Sequence, residues 1–281
     1  MKIGTLADWF GVGLIEGIRE SQRCGAQGVQ VYAAGELDSL TVTPDQIRKV
    51  KSVARECDQK IVSLCGELGG FGFEKAEDNA AKIEYIKRTV DLGLELHCQI
   101  VTTHIGVIPA DKDHPRYQVM KEACAEVAEY AARFGSHIAV ETGPELIATL
   151  KSFVDDCGPG MAINYDPGNI VMVTGDDEVK AVYTAGKSIV HTHAKDGVCD
   201  IQIDAGEYYH LFAEGGLEWA RSVSYAKEMP LGQGRVRWSE YLKALADIGY
   251  DGFLTIEREV KNGAEDIRMA VRFLADMLSR M

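Results

Sequence analysis

Short apolar runs that stop abruptly at a polar or charged residue recur along this chain, and stretches with apolar residues at helical spacing separate them. The clearest run is Gly252-Phe253-Leu254-Thr255-Ile256-Glu257, where β-branched and aromatic residues end at Glu257. A buried strand reaching solvent has this pattern. Ile138-Ala139-Val140-Glu141, Met161-Ala162-Ile163-Asn164-Tyr165-Asp166 and Ser188-Ile189-Val190-His191-Thr192-His193 end the same way. Residues 2–7, 29–32, 61–65 and 99–104 also read as strands.

Helices fill the intervals. Leu14, Ile15 and Ile18 open a helix that Gly25 stops; Thr43, Pro44 and Gln46 form an N-cap, first-turn proline and capping box. Further helices are predicted over 80–94, over 117–134 with Gly135 as the stop, from Pro144 and Glu145, over 178–185, over 239–248 with Ser239 as N-cap, and from Ala264 onward. Eight strands alternating with eight helices predict one α/β domain over 1–281, a (β/α)8 TIM barrel. A doubly wound open sheet fits less well, because no G-x-G-x-x-G follows the first strand.

Two segments break the rhythm. Residues 66–72 are glycine-rich and read as a flexible loop more readily than as a phosphate cradle. Residues 197–238 form a long β7–α7 connection of the eight-unit count, carrying Tyr208, Tyr209, His210, Trp219 and the turn Leu231-Gly232-Gln233-Gly234. A lid over the catalytic face and a contact in a homo-oligomer stand as equal readings of it.

Composition narrows the partners. A formal net charge of -13 argues against phosphate-backbone binding and hence against nucleic acid. No apolar run approaches the roughly 18 residues of a membrane span, and residues 1–6 read directly as strand, which leaves no room for a signal peptide. The seven cysteines are scattered and never in C-x-x-C, so a reducing, cytoplasmic setting is expected.

In this count Glu141, Asp166, His193 and Glu257 end strands five to eight, and consecutive barrel strands bring them round one rim. Four independently solvated groups is the ordinary alternative. An oxygen-rich set with one imidazole suits a single Mn2+, Mg2+ or Co2+ better than a structural Zn2+ site, with catalytic Zn2+ as a further option. His104 ends the fourth strand beside this cluster, facing substrate or supporting a ligand. His191 lies on the same strand face as His193, one step deeper, and reads as a core histidine. Lys195 is expected to meet an anionic substrate group or to form a surface ion pair.

At these residues the sequence resembles the sugar phosphate isomerase/epimerase family, the xylose isomerase-like barrels that also include endonuclease IV, ketose 3-epimerases and inosose dehydratase. The motifs that carry the resemblance are Thr103-His104-Ile105-Gly106-Val107, Glu141-Thr142-Gly143-Pro144-Glu145, Asn164-Tyr165-Asp166-Pro167-Gly168-Asn169, His193-Ala194-Lys195-Asp196, Leu231-Gly232-Gln233-Gly234 and Ile256-Glu257-Arg258-Glu259. The resemblance implies that Glu141, Asp166, His193 and Glu257 ligate one divalent metal and that Glu141 and Glu257 double as acid and base. Candidate substrate contacts are His104, Glu145, Asn169, Lys195 and Trp9. Asn169 and Cys199 stand where the ketose 3-epimerases usually carry a histidine and an arginine, which argues against a free-ketose 3-epimerase. The expected activity is a metal-dependent isomerase or epimerase acting on a sugar, sugar phosphate or polyol ketone through an enediolate. An inosose-dehydratase-type lyase is the first alternative; a non-catalytic sugar-binding barrel and an endonuclease IV-like enzyme are more distant.

Overall fold

Eight parallel strands close on themselves in the computed structural model, which describes residues 1–260 and 263–281. In chain order these are β1 (Lys2–Leu6), α1 (Leu14–Cys24), β2 (Gly28–Tyr32), α2 (Pro44–Glu56), β3 (Lys60–Cys65), α3 (Ala76–Glu95), β4 (Ile100–Thr103), α4 (Pro115–Ala132), β5 (His137–Glu141), α5 (Ile147–Cys157), β6 (Met161–Tyr165), the helical turn α6 (Pro167–Asn169), α7 (Glu178–Ala185) and β7 (Ile189–Ala194). An excursion follows, made of β8 (Asp196–Cys199), α8 (Ala205–Ser222) and β9 (Ala226–Met229); α9 (Trp238–Asp247), β10 (Phe253–Ile256) and α10 (Ala264–Ser279) complete the chain. β10 lies between β7 and β1 and closes the ring.

Local chemistry explains the main helix ends. The Thr43 hydroxyl accepts from Gln46 N while Gln46 Oε1 accepts from Thr43 N at 2.8 Å, the reciprocal capping box that starts α2. Gly25, at φ +93°, ends α1 in the left-handed region.

Two predicted helix starts are corrected. The helix after β5 begins at Ile147, not at Pro144, because Glu145 is held back by a 2.6 Å hydrogen bond from Ile108 N to its Oε1. Ser239 lies inside the first turn of α9, whose start is fixed instead by Arg237 N donating to Glu178 Oε1 at 3.0 Å. The glycine-rich stretch is also more constrained than a free loop. Phe73 N donates to Ile105 O at 2.9 Å, and a Cβ on Gly72, at φ +53°, would lie 2.1 Å from the Ile105 carbonyl carbon.

Apolar side chains pack between the strands and the helical ring, as the alternation along β2 shows: Val29 and Val31 are buried in one cluster with residues of α1 and α2. The opposite face of each strand delivers polar groups to the barrel interior. Gln30, Ser63, Thr102, Asn164 and His191 are all fully buried there. Gln30 Nε2 donates to Thr102 Oγ1 at 3.0 Å, and His191 Nε2 lies 3.0 Å from Gln30 Oε1 and 3.1 Å from Ser63 Oγ. His191 is therefore a satisfied core histidine; burial and then the adjacent His193 hold its pKa well below the usual value.

The segment after β7 is built, not a plain loop. β8 and β9 pair antiparallel, with Asp196 opposite Met229 and Cys199 opposite Ala226, so α8 sits at the tip of a hairpin. One buried carboxylate pins its base. Asp196 accepts from Gly197 N, Gly232 N, Gly234 N, Val236 N and Trp238 Nε1, all between 2.9 and 3.1 Å. A Cβ on Gly234 would stand 2.0 Å from Asp196 Oδ1, which gives the Leu231–Gly234 turn its structural reason.

Candidate metal centre

Glu141 is the last residue of β5, Asp166 and Glu257 directly follow β6 and β10, and His193 sits near the end of β7. Parallel strands in register bring all four to the same end of the barrel. One ligand atom from each lies within 4.8 Å of the other three, and all four side chains are buried.

Each group is held by its own neighbours. Pro167 starts α6 and Asp166 caps it, its Oδ1 accepting from Asn169 N at 3.1 Å. That fixes the carboxylate and leaves Oδ2, buried and without a hydrogen bond among the described residues, turned toward the cluster. Thr142 ties the exits of β5 and β6 together: its hydroxyl accepts from Asp166 N at 2.8 Å and donates to Asp166 O at 2.9 Å. Glu141 accepts from Asn169 Nδ2 at 2.8 Å on Oε1 and from Asn164 Nδ2 at 3.2 Å on Oε2. His193 is 1% exposed; its Nε2 faces Gln30 Oε1 at 3.0 Å. A proton on Nε2 leaves the Nδ1 lone pair toward the carboxylates, 3.1 Å from Glu257 Oε2, 3.3 Å from Glu141 Oε2 and 3.7 Å from Asp166 Oδ2.

Three carboxylates around one imidazole fit a divalent cation. Among the side chains that face these carboxylates are His193 and Lys195. Burial lowers the His193 pKa, but Glu257 and Glu141 outweigh it and raise it well above the usual value. Burial raises the Glu257 pKa, yet His193 and Lys195 bring it well below the carboxylate range. Lys195 is 3% exposed, so it is not a surface ion pair. Its Nζ lies 2.6 Å from Glu257 Oε2, 3.0 Å from Glu259 Oε2 and 3.5 Å from Asp166 Oδ2.

The remaining candidates line one cavity of about 790 Å3 above this floor: Trp9, His104, Glu145, Asn169 and Lys195. His104 is half-buried, its Nδ1 3.0 Å from Glu67 Oε2 and its Nε2 3.8 Å from Glu141 Oε1. Burial works against its charge, but Glu141 and Glu67 hold its pKa up at about 10. Glu145 has one oxygen on Ile108 N, and burial pushes it up to about 8. Trp9 Nε1 is buried with no hydrogen-bond partner among the described residues.

Several groups escaped the sequence reading. Gln30 and Asn164 are single polar residues inside apolar runs, which is the signal that could have marked them as inward-facing. Glu67 is masked by its glycines. Tyr209 rests its hydroxyl against the backbone of Gly143, where a Cβ would be 2.0 Å away, so the glycine after Thr142 is the seat of a side chain from α8.

The model of the xylose isomerase-like TIM barrel family matches residues 18–277. An uncharacterised protein of Methanocaldococcus jannaschii, MJ1311, is 23% identical over 189 residues, covering 63% of this chain and 56% of that protein. The chain thus spans about half the length of the curated relatives it matches. Among solved structures, a xylose isomerase domain protein from Planctomyces limnophilus superposes with a TM-score of 0.82 at 24% identity, covering 99% of this chain and 97% of that one. The probable 3-DHS dehydratase AsbF of Bacillus anthracis gives 0.78 at 17%, covering 98% and 99%. A D-psicose 3-epimerase gives 0.73 at 18%, covering 99% of each. At these identities the likeness is one of fold.

Proposed function

The chain belongs to the xylose isomerase-like TIM barrel family, and on that premise we propose that it is a divalent-metal-dependent isomerase or epimerase of a sugar, sugar phosphate or related polyol ketone. The observation that carries this reading is the convergence of Glu141, Asp166, His193 and Glu257 within 4.8 Å, with Asp166 Oδ2 left without a hydrogen bond. The four residues would hold Mn2+, Mg2+ or Co2+. A divalent cation held there would supply Lewis acidity, offsetting the charge that develops as the substrate carbon loses a proton.

The chain's own groups do the rest. Glu257, paired with the Lys195 ammonium at 2.6 Å and so held ionised, accepts the proton from the carbon next to the carbonyl. Glu141, oriented by Asn169 and Asn164, starts protonated and delivers its own proton, ending ionised while Glu257 ends protonated, and exchange with solvent resets both; delivery to the opposite face inverts the centre, and delivery to the neighbouring carbon interconverts aldose and ketose. Trp9 Nε1 offers a donor to a substrate hydroxyl, and α8 above the cavity limits access of bulk water.

One observation favours a second reading, a lyase. His104, held by Glu67 and kept protonated, stands beside Glu141 where it could donate to a departing hydroxyl. Proton exchange separates the readings from one another and from a non-catalytic barrel. The Mn2+-loaded protein is incubated in D2O with a panel of ketoses, sugar phosphates and polyol ketones. An isomerase or epimerase incorporates deuterium and conserves mass otherwise; a lyase also releases water. Glu257→Gln should lower exchange by about a hundred- to ten-thousand-fold with metal content intact. No exchange from any substrate, or full exchange by Glu257→Gln, would refute the assignment of Glu257.

A further inference from the structure

α8 carries an apolar stripe that lies over the cavity, with its Tyr209 seated on the Gly143 backbone. It spans Ala205–Ser222 as two helical stretches joined at a break at Gly216, and it contains no buried residue. Tyr209, Phe212 and Ala213 fall at helical spacing, Leu217 follows the break at Gly216, and all four are half-buried and line the cavity. A surface helix ordinarily gains its stability by laying such a stripe on a core. Here Phe212, Ala213 and Leu217 line the same cavity as the carboxylates Glu141 and Glu257. The cavity therefore has two chemically distinct ends, a charged floor and an apolar roof.

Size points the same way. About 790 Å3 lies in the upper part of the roughly 300–1,000 Å3 range of sites that take drug-sized ligands. A single free sugar seated on the floor leaves the α8 end unfilled. Of the cations that line the cavity, Lys195 is engaged by three carboxylates at the floor and Arg221 by Glu218 and the carbonyl of Glu259, while Lys227 stands at the mouth on β9.

We propose that the substrate has two parts, a hydroxylated part on the Glu141–Glu257 floor and a ring-sized apolar group, such as an aryl substituent, packed against Tyr209, Phe212 and Leu217. The proposal rests on the reading of the floor as a polyol site and names the class of substrate that site takes. The apolar group completes the burial that α8 lacks, so binding would order the hairpin as well as seat the sugar.

Calorimetric titration of the Mn2+-loaded full chain tests it with matched methyl and phenyl β-glycosides of glucose, galactose and xylose, and with glucose 6-phosphate as the charged comparison. For at least one sugar the phenyl glycoside should bind about tenfold or more tighter than its methyl partner, the effect of burying one aromatic ring. Phe212→Ser with Leu217→Ser should shrink that preference to under about threefold, with the far-ultraviolet spectrum unchanged. If the double variant does not fold, Phe212→Ser alone is used. Phenyl and methyl partners within about twofold of each other, a preference untouched by the substitutions, tightest binding of glucose 6-phosphate, or no binding by any probe would each overturn the proposal. Deuterium exchange run in parallel tells the failures apart: exchange without a phenyl preference sinks the two-part substrate alone, whereas absence of exchange sinks the reading of the floor.

Discussion

Lys195 Nζ lies 2.6 Å from Glu257 Oε2, inside a wall of carboxylates that also includes Asp166 and Glu259. The lysine thus occupies the place of a counter-ion to the floor and is not a free handle for a substrate anion. Lys195→Met should destabilise the metal-free protein by about 3–5 kcal/mol, because carboxylates that repel one another are left buried and uncompensated. Added Mn2+ should restore most of the loss. Urea denaturation with and without metal checks both; equal losses in the two conditions would show that packing, not charge, is what the lysine provides.

Metal binding should be coupled to proton release from His193. Its folded pKa is raised by Glu257 and Glu141 despite burial, so below that raised value each bound cation must displace a proton from Nδ1. Affinity for Mn2+ should climb by up to about tenfold per pH unit and keep climbing above pH 6.5. His193→Ala should weaken binding and flatten the slope. Titrations between pH 6 and 8.5 would contradict this if affinity levelled off near 6.5.

Glu145 gives a stability slope of the opposite sense. Burial raises its folded pKa from 4.5 to about 8, so between those values the native state binds a proton that the unfolded chain does not. Its contribution is fully present below 4.5 and is lost as the pH rises through 8. Glu145→Gln cannot ionise, so relative to the wild type it should gain up to about 1.4 kcal/mol per pH unit across that window. Chemical denaturation of both proteins at pH 5.5 and 7.5 measures the difference, and parallel profiles would refute it.

Asp196 should be among the least replaceable residues outside the floor. An asparagine keeps one good acceptor oxygen for the five donors that now converge on the carboxylate. Asp196→Asn should cost about 3 kcal/mol or more, since several buried N–H groups lose a charged acceptor. Limited proteolysis should then cut first between residues 200 and 235. Cleavage starting elsewhere would mean that the carboxylate does not anchor the hairpin.

The barrel was legible because a parallel strand buried on both faces can only be an apolar run, and its exit into the rim appears as an abrupt polar residue, as at Glu141 and Glu257. The same logic places Glu141, Asp166, His193 and Glu257 at one rim from the sequence, because each closes an apolar run of a consecutive strand. What stayed hidden depends on three-dimensional closure. Gln30 and Asn164 look like interruptions of a strand until the barrel interior is seen to be polar. Pro144 followed by Glu145 obeys the helix-start rule, yet the pull of Ile108 N on Glu145 delays α5 to Ile147. α8 was obscured because Gly206, Gly215 and Gly216 break up its stripe and because its contacts, Tyr209 with Gly143 and His210 with Phe71, come from loops far away in sequence. Asp196 read as the tail of a motif; its five donors come from residues up to 42 positions away.

The paired strands β8 and β9 also bear on how this protein could diverge. Because Cys199 stands opposite Ala226, the chain leaves and re-enters the barrel at nearly one point, and the Asp196 carboxylate locks that point from below. Residues 200–225 are therefore bounded as a cassette. Changes of length or side chain there leave the pairing of the eight strands untouched, apart from the seats that Tyr209 takes on Gly143 and Arg221 on the Glu259 carbonyl, so the upper wall of the cavity can vary while Glu141, Asp166, His193 and Glu257 keep their places.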